Sequence, residues 1–81
     1  MRRITLRVQK FGDAWYVTGI GVPQRLRWQD RKREAVDVAV LVARLAEARG
    51  KLAQVVIHTA DGRIQEERTY PRSSDPRRSR G

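Results

Sequence analysis

From Arg3 to Gln9 apolar and polar residues alternate, with Ile4, Leu6 and Val8 on one side and Arg3, Thr5, Arg7 and Gln9 on the other. A period of two over this length predicts a half-buried strand. Lys10–Asp13, containing Gly12, reads as a turn, and Ala14–Thr18 as a second strand with Trp15 and Val17 inward and Tyr16 and Thr18 outward. Gly19, Gly21 and Pro23 then break the chain. Gln24–Trp28 alternates again and predicts a short third strand, with Leu26 and Trp28 inward and Arg25 and Arg27 outward.

The period changes after Asp30, whose carboxylate is suited to cap the first helical turn. A helix is predicted from Arg31 to Arg49, ended by Gly50 in the left-handed position. Ala35, Val38, Ala39, Val42, Leu45 and Ala46 form its apolar stripe, and Arg33, Asp37, Arg44 and Glu47 lie opposite. Small alanines in the stripe allow close approach to a sheet. Val40 falls among the polar positions and Leu41 at the margin, which points to a contact beyond the monomer core.

Two β-prone runs flank Asp61-Gly62, a strong hairpin signal. A two-residue loop there sets Thr59 opposite Ile64 and Ile57 opposite Glu66, gathering Val55, Ile57, Thr59 and Ile64 on one face with Tyr70 beyond. A bulge at Gly62 slips the register by one and aligns Val56, His58 and Ile64 instead. The first register collects more apolar side chains and is the one expected. The order ββ(β)αββ predicts an α+β fold, an antiparallel sheet of four to five strands with one long helix on one face. Trp15, Val17, Val42, Leu45, Val55, Ile57 and Ile64 are expected at its core. Residues 1–70 form the domain, and 71–81, PRSSDPRRSRG, read as a disordered basic tail without an apolar anchor.

Length and charge narrow the function. A chain of 81 residues is one domain and buries about 60% of the surface it exposes unfolded, which favours a homodimer. Basic residues number 18 against 9 acidic ones, a net charge of +9. Arg outnumbers Lys by 15 to 3. Such a chain is drawn to polyanions: DNA, RNA or an acidic protein. There is no cysteine, which excludes thiolate chemistry and a disulfide framework and argues against a metal site. The start, MRRITLRVQK, lacks the apolar stretch of a signal peptide. The run Val38–Ala43 is too short to span a bilayer. A cytoplasmic protein without a membrane span is expected.

Gly12-Asp13-x-Trp15-x-Val17, the Glu34-Ala35 entry to an Ala-rich helix, Val56-Ile57-His58, Asp61-Gly62-Arg63-Ile64 and Thr69-Tyr70 ahead of Asp75-Pro76 recur together across nearly the whole chain. In these features the sequence resembles the bacterial domain-of-unknown-function family 2188, with the IHxxDGRI segment the most specific part. The resemblance implies a small α+β fold and supplies no activity, cofactor or catalytic residue.

Few residues offer chemistry. His58 is the single histidine; beside Asp61 and Gly62 it reads as a structural part of the hairpin rather than a general base, since no serine, threonine or cysteine stands in a nucleophile motif. Glu66 and Glu67 alternate faces and cannot converge as a dyad. They are better explained by pairing with Arg68 or by a charged strand edge. The strongest candidate is the cluster Arg25, Arg27, Arg31, Lys32 and Arg33, where three consecutive cations oppose the helix dipole and are suited to phosphates. Arg3 and Arg7 extend it along the first strand, and an outward Tyr16 adds a stacking surface. Arg72, Arg77, Arg78 and Arg80 add non-specific tail electrostatics. No zinc-finger, helix-turn-helix or RNP signature is present, so sequence-specific readout is not expected. The expected function is that of a non-enzymatic accessory protein, without metal or cofactor, that binds nucleic acid through backbone phosphates. A protein-interaction module, as a homodimer, is the alternative.

Overall fold

The computed structural model describes residues 3–70. Within them the chain forms β1 (Arg3–Phe11), β2 (Ala14–Thr18), a 3₁₀ turn (Gln24–Leu26), β3 (Trp28–Gln29), α1 (Lys32–Ala48), β4 (Leu52–His58) and β5 (Ile64–Tyr70). The strands make one sheet in the order β3-β2-β1-β4-β5, and α1 packs on one face of it. The fold is α+β with a single covering helix, as the pattern predicts.

The sheet is mixed, not purely antiparallel: β1 and β4, its two central strands, run parallel, with Leu6 beside Val55 and Val8 beside Ile57. The cause is topological. β2 and β3 occupy one side of β1, so its other edge is still open when α1 begins. The helix carries the chain back across the sheet, and β4 enters that edge in the direction of β1.

The inner face is filled by Leu6, Val8, Val17 and Val55, all fully buried. Ala35, Ala39, Ala43 and Ala46 bring the helix down onto them. These alanines turn the buried arc toward Ala43, so Leu45, expected in the core, is 54% exposed, while Val40 packs against the core. Val38 and Trp15 are half-buried at the margin.

Two local predictions change for backbone reasons. Asp30 does not cap the helix: Gln29 is still paired with Trp15 of β2, the chain stays extended, and Arg31 takes the cap position without a side-chain hydrogen bond. The far end follows expectation. Gly50 adopts φ +80°, and the N–H groups of Lys51 and Gly50 donate to the carbonyls of Ala46 and Glu47, a Schellman closure. Gln24–Leu26 is a helical turn rather than strand. Only Trp28 and Gln29 pair with β2, which turns Trp28 outward.

The β4–β5 hairpin uses both registers. Ile57 lies opposite Glu66, but His58 lies opposite Ile64, leaving Gln65 as a bulge between them. The turn centres on Ala60-Asp61, with Gly62 N–H donating to Thr59 O and Gly62 at φ +94°. No residue other than glycine has positive φ among the described residues, so Asp61-Gly62 is not the two-residue loop expected. Ile64 consequently leaves the inner face and is 54% exposed.

Candidate nucleic-acid interface

The helix covers one face of the sheet and leaves the other open. Alternation along β1 places Arg3, Thr5, Arg7, Gln9 and Phe11 on this outer face, and the β1–β2 register brings Thr18 beside Arg7 and Tyr16 beside Gln9. Tyr16 in turn faces Trp28 on β3. Phe11 and Tyr16 meet edge to face, with centroids 5.6 Å apart and planes at 70°. Phe11 and Trp28 are each more than half exposed. Three aromatic side chains therefore lie at one end of the open face, and Arg7 lies further along β1 on the same face.

Two hydrogen-bonded chains cross the same face. Arg7 Nη1 lies 3.2 Å from His58 Nε2, and His58 Nδ1 lies 3.1 Å from Gly62 O. Arginine only donates and a carbonyl only accepts, so the ring carries its proton on Nδ1, donating to Gly62 O, while Nε2 accepts from Arg7. The contact occupies one of five guanidinium donors and holds the group over the sheet. Lower down, Arg3 Nη2 donates to Gln54 Oε1 at 3.3 Å, and Gln54 Nε2 donates to Glu67 Oε1 at 3.0 Å. Glu67 thus offsets part of the positive charge at that end.

The cations of the helix start, Arg31, Lys32 and Arg33, do not join Arg3, Arg7 and Tyr16. Arg25 and Arg27 are exposed around the 3₁₀ turn, and Arg27 O accepts from Val17 N. Arg31 and Arg33 are exposed at the helix start on the covered side. Lys32 is drawn into the fold: its ammonium sits 5.1 Å from the Trp15 ring centroid and donates to Gln65 on the bulge. The groove beside it includes Asp37 and Glu66 in its lining, so its charge is mixed. The helix-start cations thus stand on the layer opposite Arg3 and Arg7. The tail arginines, Arg72, Arg77, Arg78 and Arg80, lie outside the described residues.

The hairpin residues serve its closure. Asp61 accepts from the Thr59 hydroxyl and pairs with Arg63 at 3.4 Å. The Thr59 bond, foremost, holds the Asp61 carboxyl below the usual aspartate range. His58 is oriented by Gly62, not by Asp61. Glu66 and Glu67 do point to opposite faces. Glu66 is bound by Arg68 of the same strand at 2.7 Å, and this carboxylate raises the arginine further.

Phe11 and Trp28 are the face residues that sequence reasoning misses. The alternation Arg7-Gln9-Phe11 already carries Phe11 outward, past the start of the turn expected at Lys10. Trp28 has no such signal, because its orientation follows from pairing with Tyr16. Among the described residues no helix is long and apolar enough to cross a membrane.

A protein-family model described as an uncharacterized protein conserved in bacteria (DUF2188) matches residues 7–70. The match begins within β1 and runs through the helix to the end of β5, and the chain belongs to this family. No curated protein and no solved structure matches it.

Proposed function

We propose that this family member is a non-catalytic cytoplasmic accessory protein that binds unpaired nucleic acid across its open sheet face without strong sequence specificity. The observation that carries the reading is the aromatic set Phe11, Tyr16 and Trp28, the first and last exposed and Tyr16 half-buried, on the same uncovered face as Arg3 and Arg7. Ring faces stack any base, and arginines track the phosphates between them. A broad sheet suits a splayed single strand better than a duplex, whose bases are hidden in grooves. Arg25 and Arg27, beside Trp28 in the chain, and the tail arginines add phosphate affinity of lower geometric definition.

The test is fluorescence anisotropy with labelled single-stranded DNA, single-stranded RNA and duplex across a salt series, using the full chain. Trp28→Ala and Tyr16→Ala each weaken single-strand binding by about 1–3 kcal/mol, roughly fivefold to 150-fold. Arg7→Gln lowers the salt slope. A variant with Arg72, Arg77, Arg78 and Arg80 changed to Gln isolates the tail. If that variant alone abolishes binding while the aromatic variants leave it intact, the sheet-face reading is wrong.

A further inference from the structure

On the helix layer, away from the open sheet face, three large apolar side chains stand exposed: Leu41 at 52%, Leu45 at 54% and Ile20 at 77%. Leu45 and Ile20 wall a groove of about 180 Å³ floored by Ile4, Val42 and Ala46, with Arg49 and Lys51 at its rim. Leu41 lies one helical turn before Leu45, and Asp37 one turn before Leu41. The i, i+4 ridge, which runs obliquely across the helix surface, therefore reads acid, apolar, apolar, base. Among the described residues neither Asp37 nor Arg49 has an ion-pair partner within the chain.

That order is self-complementary. We propose that this surface binds a second copy of the same chain through a twofold axis passing between Leu41 and Leu45, with the two helices running in opposite directions and crossing so that their i, i+4 ridges lie side by side. Each Leu41 enters the groove between Ile20 and Leu45 of the other copy, and each Asp37 reaches the other copy's Arg49 at the rim. An isologous contact satisfies both ends at once, because every pair occurs twice. A parallel arrangement sets Asp37 against Asp37 and Arg49 against Arg49, which like charges oppose. The contact is small, so the dimer forms at micromolar concentration or above rather than obligately. It leaves both open sheet faces uncovered.

Sedimentation equilibrium of the full chain over a wide concentration range tests this. The wild type shows a monomer–dimer equilibrium. Leu41→Glu is monomeric at every concentration, with an unchanged melting midpoint in dilute solution because Leu41 is exposed in the monomer. Asp37→Arg weakens association by about tenfold, and the double variant Asp37→Arg, Arg49→Asp restores it to within about threefold of wild type. A wild type that stays monomeric up to millimolar concentration overturns the proposal. So does a dimer that Leu41→Glu leaves intact, or one in which the double variant is weaker than Asp37→Arg alone.

Discussion

Arg7 and His58, 51 positions apart in the chain, meet at 3.2 Å on the outer face of the parallel β1–β4 pair. His58 is 6% exposed, and the other nitrogen of its ring is fixed by Gly62 O. A central strand, a turn and a surface cation are thereby tied through one ring. His58→Ala removes both bonds and leaves Gly62 O without its side-chain partner, so a loss of about 1–3 kcal/mol is expected in urea unfolding. In the wild type, ¹⁵N chemical shifts of the neutral ring report the Nδ1–H tautomer. An Nε2–H form contradicts the Arg7 contact.

Gly19 separates conformational freedom from space. It sits at φ +135°, and a Cβ there meets Leu6 Cδ2 and Thr5 O at 2.6 Å. Gly12 has φ +62° with nothing within 4 Å. Gly19→Ala therefore costs about 2–4 kcal/mol, from left-handed strain plus displacement of the β1 backbone. Gly12→Ala costs roughly 1 kcal/mol, from backbone conformation alone. Equal shifts of the two denaturation midpoints contradict the close approach at β1.

Leu6 and Leu45 are the same residue in opposite settings. Leu6→Ala empties fully buried space between α1 and the sheet, at about 2–5 kcal/mol. Leu45→Ala changes monomer stability by less than ~1 kcal/mol when measured in dilute solution. A comparable loss for both places Leu45 in the monomer core after all.

Asp61 reports the turn to acid. Its folded value lies below the ordinary one, held there foremost by the Thr59 hydroxyl. Its contribution is complete above the unfolded aspartate value and disappears as pH falls through the folded one. In an NMR titration the Asp61 carboxyl should have a midpoint below that of an unstructured aspartate. Thr59→Val should move it up. No movement removes the hydroxyl as the cause.

Periodicity and chain punctuation make most of the fold legible before any coordinate is known. The alternation of Ile4, Leu6 and Val8 gives a strand and its buried side, and Gly50 gives the helix end, because these depend on residues within a few positions of one another. The family follows from motifs of the same local kind. What fails locally is informative. The parallel β1–β4 pairing depends on which sheet edge is vacant when β4 arrives, and no short window of sequence records that. Ile64 is carried to the outer face by one extra residue, Gln65, in a register that both strands settle together. Leu45 loses its core place to Ala43 because the alanine face sets how the helix rolls on the sheet.

The candidate site divides in the same way. The sequence by itself determined that the chain is basic, that Arg3, Arg7 and Tyr16 point away from the core, and that the helix begins among cations. Only the tertiary structure decided that those cations and that strand face lie on different layers, that Lys32 turns in toward Trp15, and that Phe11, Tyr16 and Trp28 share one surface. Side-chain direction along a strand is fixed by a period of two, which a sequence displays. Which strands stand side by side, and what covers them, is fixed by long-range pairing and by the packing of one helix.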